Sequence, residues 1–167
     1  LVFPNNKRKK RKKNYVEKNI SIPVQGLLSD MPAQFAKNSF IVPGDKIVGI
    51  ALPEKGITIF SVDSQELTNF EKSPESWIKL EWKKEIDFTF TSRIKITIIN
   101  EVGVLNSITS TIADYGGNIT NLILNEKDND FYNLIIDINV NDNHHINDIV
   151  KSLDGLPVVE AVIRFIG

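Results

Sequence analysis

The stretch "RIKITIINEVGVLNSITSTIADYGGNI", residues 93–119, decides the fold. Ile94, Ile96 and Ile98 alternate with Arg93, Lys95 and Thr97, the period of a strand with one buried face. Then the period changes. Val104, Ile108, Ile112 and Tyr115 recur at helical spacing, and Gly116-Gly117 stops the helix. Ile119 to Leu124 returns to strand. Between strand and helix lies Asn100-Glu101-Val102-Gly103-Val104-Leu105, with a glycine at the handover.

Downstream, "EKDND" turns the chain into a third strand, Phe131 to Val140. Asp142 is placed to cap a helix carrying Ile146, Ile149, Val150 and Leu153 on one stripe. Gly155 and Pro157 end that helix, and "VVEAVIRF" alternates as the last strand. The order β-α-β-β-α-β over residues 88–167 predicts a ferredoxin-like domain.

Upstream the pattern is shorter. Residues 19–84 read as a small α/β module containing a hairpin. Its clearest unit runs from Lys46 to Leu52 and back from Ile57 to Val62, across Pro53-Glu54-Lys55-Gly56. "ISIPVQGL" is expected to form a short strand and "MPAQFAKN" a brief helix with Pro32 in its first turn. Asp63 or Ser64 would cap a second helix bearing Leu67 and Phe70, and Trp77, Leu80 and Trp82 suggest one closing strand. The whole is of the α+β class, two modules in series.

At 167 residues and 41% hydrophobic, the chain is large enough for one large or two small cores. The net charge of −1 conceals segregation. Residues 7–13, "KRKKRKK", hold seven of the 20 cations, leaving 13 against 21 acids and a net −8 elsewhere. Residues 1–18 are therefore expected to be a solvated basic arm or linker, able to bind phosphate but not to choose a sequence. No run of about 18 apolar residues is present, nor a secretory core after the basic start. The absence of cysteine fits a reducing cytoplasm, and the opening at Leu1 suggests a piece of a longer protein.

Chemistry-bearing residues are few. His144 and His145 are adjacent, pointing about 100° apart on a helix, so they cannot chelate one ion from one face. No zinc spacing, nucleophile elbow or phosphate-cradling glycine loop occurs, so no metal site and no catalytic residue is expected. What remains is the Asn100–Leu105 turn. A helix N-terminus presents unpaired amides to an anion, Gly103 lets a ligand near the backbone, and Asn100 can donate and accept.

Residues 92–122 and 131–164 together resemble the ACT domain at the end of long RelA/SpoT homologues. "MPAQFAKNSFIVPGDKIVGIALPEKGITIFSVDSQEL" is similar to the module that precedes it there, the zinc-finger or RIS domain. Such proteins make and hydrolyse (p)ppGpp with catalytic domains N-terminal to this region. The resemblance therefore implies a non-catalytic regulatory tail. It further implies an amino-acid ligand, valine or isoleucine among the candidates, held where ACT domains pair as a homodimer. The family's N-E-P-G-x-L loop matches Asn100, Glu101, Gly103 and Leu105, with Val102 in place of proline. The strand completing such pockets matches Asn118, Ile119, Thr120 and Asn121, with Val104 and Leu122 as apolar contacts. Zinc ligands of relatives fall on Asn38, Ser39, Phe60 and Ser64, none of them thiolate or imidazole, so packing is expected to replace the metal. Partners implied are the catalytic half, the ribosome and tRNA. Two other readings stay open: a docking module without small-molecule binding, and a purely structural oligomerisation module.

Overall fold

The computed structural model describes Lys13–Asn14 and residues 22–166. Most of the basic arm and the start of "ISIPVQGL" lie outside the described residues. Two short strands come first, β1 (Lys13–Asn14) and β2 (Val24–Gln25).

The first module is built on a hairpin. β4 (Ile47–Leu52) and β5 (Gly56–Ser61) pair antiparallel from Ile47 opposite Ser61 to Leu52 opposite Gly56. Around it the sheet order is β3-β5-β4-β6, where β3 is Ala33–Phe35 and β6 is Trp77–Lys79. Here the expected "MPAQFAKN" helix is overturned. Ile57 N–H donates to the Pro32 carbonyl at 2.8 Å and Ala36 N–H to the Ile59 carbonyl at 2.9 Å. Those groups serve a parallel ladder with β5, and Asn38 sits at φ 58°, where no right-handed helix continues. The second expected helix is a 3-10 helix, Gln65–Phe70, and Ser64 precedes it without a side-chain capping bond. The single closing strand is in fact two, β6 and β7 (Glu81–Trp82), separated at buried Leu80 and joining different partners.

The second module has the ferredoxin-like topology. β8 (Phe88–Ile99) leads to α1 (Val104–Asp114), then come β9 (Asn118–Glu126), β10 (Phe131–Val140), α2 (Asn143–Asp154) and β11 (Val159–Phe165). All pairings among these four strands are antiparallel, in the order β11-β8-β10-β9. β1 adds two parallel residues beside Phe88 and Thr89. Alternation sends Ile94, Ile96, Ile98, Leu134, Ile136 and Ile138 to the face covered by both helices, which answer with Ile108, Ile112, Ile146, Ile149 and Leu153. The other face carries paired polar side chains. Arg93 grips Asp137 across the strands through Nε and Nη2, at 2.6 and 2.9 Å. Those bonds hold the Arg93 guanidinium above its ordinary pKa, against the burial that works the other way.

The two apolar layers have unequal consequences for substitution. Ile136→Ala, in the covered face and fully buried, should cost about 2–5 kcal/mol in urea denaturation. Ile163→Ala, 58% exposed on the open face of β11, should stay within about 1 kcal/mol by the same measurement.

Candidate functional site

At the end of β8 the backbone is pinned from two sides. Ile99 N–H donates to the Val158 carbonyl at 3.0 Å, and Asn100 N–H to the Asp130 carbonyl at 2.9 Å. The chain then leaves the sheet, and Gly103, at φ 85° and ψ −1°, turns it into α1. A Cβ built on Gly103 would meet nothing within 4 Å, so the left-handed backbone, not crowding within the chain, calls for glycine there. No side chain caps α1, leaving its first amides to face whatever enters the turn.

Something could enter. An open cavity of about 250 Å³ lies at this turn, lined by Asn100, Glu101, Gly103, Val104 and Leu105. Its remaining wall comes from the sheet, chiefly Leu124 and Tyr132. The lining is mixed. Val104 is buried beneath the turn, Leu105 is half-open to solvent, and Val102 projects clear of the protein. Aliphatic side chains thus lie beside helix amides and two polar side chains, an arrangement suited to a small zwitterion with an apolar tail.

The structure separates the other five predicted residues from this turn. Asn118 pairs with Asn139, which itself pairs with Thr91, at the opposite end of β8 from Ile99. Eight residues of strand put that end roughly 27 Å away. α1 carries the chain back down the sheet, so β9 begins where β8 begins. Ile119, Thr120 and Asn121 share that end. Thr120 Oγ1 donates to the Asp137 carbonyl and Asn121 Nδ2 to Asp137 Oδ2, at 3.3 and 3.4 Å. Leu122 sits midway along β9, 36% exposed. Conversely, sequence reading missed Tyr132 and Leu124. The signal was available: an antiparallel β10 must begin beside the end of β8, and Tyr132 indeed opposes Ile98.

Both modules hold further sites that the sequence had singled out. Ser39, Phe60 and Ser64 gather around one small cavity, with Ile166 of the second module on its wall. Phe60 is buried and lies 6.1 Å from the Phe70 ring, while Ser39 Oγ donates to the Ala36 carbonyl at 2.6 Å. Phenyl and hydroxyl groups do not make a zinc donor set. Among the described residues no cluster of three or more His, Cys, Asp or Glu could hold a metal. His145 is more than an exposed residue of a first turn. Its Nδ1 accepts from Asn141 N–H at 3.0 Å, so Nε2 carries the proton and donates to the Tyr115 carbonyl at 2.7 Å. The ring thereby ties the end of α1 to the start of α2.

Comparison with known proteins is consistent across the chain. The RelA/SpoT RIS domain family matches residues 22–83, and an ACT domain family matches residues 87–164. The chain is a RIS domain of the RelA/SpoT type followed by an ACT domain. Its RIS and ACT regions are 36% identical over 149 residues to "GTP pyrophosphokinase rsh" of Brucella abortus (strain 2308), covering 88% of this chain. They are 30% identical over 143 residues to "Bifunctional (p)ppGpp synthase/hydrolase SpoT" of Escherichia coli (strain K12), covering 86%. The chain spans 20% of the length of each. A solved ACT domain from the GTP pyrophosphokinase of Chlorobium tepidum is 25% identical, with a TM-score of 0.42, over 46% of this chain and 99% of its own. Among the described residues, no helix is long and apolar enough to cross a membrane.

The conformational role of Gly103 is directly measurable. Gly103→Ala should lower stability by about 1–2 kcal/mol in chemical denaturation, although its methyl group meets open space. Gly103→Asn should lose less, because asparagine tolerates the left-handed region.

Proposed function

We propose that this chain is the regulatory tail of a cytoplasmic (p)ppGpp synthetase/hydrolase, whose ACT domains pair edge to edge and hold a small aliphatic amino acid between them. One observation carries the reading: the cavity at the β8–α1 turn lies beside β9, among the described residues an edge strand paired only with β10, where Leu122, Ile123 and Leu124 are exposed in a row. An edge of this kind is a template for another strand. Antiparallel pairing of two β9 strands about Ile123 would set Leu122 of one copy opposite Leu124 of the other. Asn121 and Thr120 of one copy would then oppose Asn125 and Glu126 of the other. The half-site that a single chain holds far from its own turn would thus be supplied to the cavity of its partner.

In that arrangement the ligand carboxylate faces the first amides of α1, and Asn100 serves the amino group. Val104, Leu105 and Leu124 receive the aliphatic side chain, which favours valine or isoleucine. Binding across the pair would stabilise the paired form, and only this difference in affinity could bias the catalytic half. The RIS domain would hold itself by packing around Phe60, without zinc. A second reading, docking to ribosome or tRNA, is favoured by the seven consecutive cations at 7–13 and predicts binding that weakens steeply with salt.

Calorimetric titration of the chain with valine, isoleucine and leucine tests this, alongside Gly103→Trp and Leu124→Asp variants and sedimentation of each. Saturable heat with dimerisation, both lost in Leu124→Asp and the heat alone lost in Gly103→Trp, is the expected outcome. Dimers without heat would mean a structural module, and a folded monomer without heat would favour docking.

A further inference from the structure

Between the two domains, the Phe40–Asp45 segment does not behave as a surface turn of the RIS domain. Val42 is fully buried within the ACT core cluster, with Ile94 and Ile146. The Pro43 carbonyl accepts from Asn143 N–H, the first residue of α2, at 2.8 Å. Gly44 sits at φ +94°, a conformation that calls for glycine, and any Cβ there would have to displace the Asn143 amide.

Asp45 closes the arrangement. Its two carboxylate oxygens accept from Nη1 and Nη2 of Arg164 on β11, at 2.9 and 2.6 Å. The Arg164 side chain is 11% exposed and that of Asp45 7%. Arg164 spends its other donors nearby: Nη2 also reaches the Phe40 carbonyl, and Nε reaches Ser92 Oγ, both at 3.3 Å. Asp45 Oδ2 further accepts from Val42 N–H at 2.9 Å, and the Asp45 carbonyl from Trp82 Nε1 at 2.9 Å. On the far side of β8, the Arg93 guanidinium lies 4.5 Å from the Phe40 ring centroid. The RIS segment therefore grips β8 from both faces.

We propose that this Pro-Gly-Asp segment is a docking element that makes the RIS and ACT domains one cooperative unit, with Asp45–Arg164 as its lock. A buried ion pair adds little net stability over apolar packing but fixes geometry, because either partner alone is a buried unpaired charge. The pair thus sets the orientation of the RIS hairpin on the ACT sheet. The junction at residues 83–87 is a connection and not a hinge, and a displacement of β8, β11 or α2 reaches the RIS domain directly. None of this depends on whether the ACT domain binds an amino acid.

Hydrogen exchange on the full chain under mild denaturant tests the proposal, comparing peptides of the β4–β5 hairpin with those of β10. In the unaltered chain both should exchange through one opening event at the same rate. In Asp45→Asn and in Arg164→Met, hairpin exchange should accelerate at least tenfold more than β10 exchange. The double variant should do so by less than the product of the two single effects. Arg164→Lys keeps the charge without the fork and serves as the milder variant where a harsher one does not fold. Hairpin exchange already faster in the unaltered chain would mean independent domains and overturn the proposal. Equal acceleration of both peptides would leave one unit held without this pair, and overturn the lock.

Discussion

Ten residue pairs between β8 and β10, from Phe90 opposite Val140 to Ile99 opposite Phe131, fix everything else in the ACT domain. This register puts Ile94, Ile96, Ile98, Leu134, Ile136 and Ile138 on one face and Arg93, Asp137, Thr97 and Asn133 on the other. A slip of β10 by one residue would turn Asp137 beneath the helices, away from Arg93, and expose Leu134, Ile136 and Ile138, so the pairing is strongly specified. It also places Tyr132 beside the β8–α1 turn, and with it the wall of the candidate cavity. Site and core are set by one ladder.

What was legible in the sequence was local. Periods of two and 3.6 marked the four strands and two helices of the second module, because each is long enough for its buried face to repeat. The Asp142 cap was readable too, and its carboxylate does accept from His145 N–H at 2.9 Å. Failures came where the deciding partner lies far along the chain. Ala33–Phe35 is a strand because β5 offers it a ladder, information absent from "MPAQFAKN". The same is true of Thr120 and Asn121, whose similarity to a pocket strand says nothing of which pocket, their own or a partner's, they approach.

The Asp45–Arg164 contact is the extreme case, spanning 119 residues. Pro43-Gly44-Asp45 forms a turn, with Asp45 N–H donating to the Val42 carbonyl at 3.1 Å, yet the turn is shaped around α2 and β11 of the other domain. Local propensity chose the conformation, and tertiary contact chose its use. The Ser39, Phe60 and Ser64 cluster shows the reverse. Their coming together follows from the hairpin, while their chemistry, already visible as residue type, offers no thiolate to a metal.

The β9 edge has a property beyond its exposure. Leu122, Ile123 and Leu124 form an apolar centre between Asn118, Thr120 and Asn121 on one side and Asn125 and Glu126 on the other. When two such edges meet antiparallel, the apolar centres coincide in one alignment. A slide of two residues sets Ile123 against Asn121 or Asn125, and a leucine against Thr120 or Glu126, and forfeits most of the buried contact. The strand therefore carries its own ruler. Polar ends around a short apolar centre limit open-ended stacking into aggregates and leave closed, symmetric pairing as the favoured association.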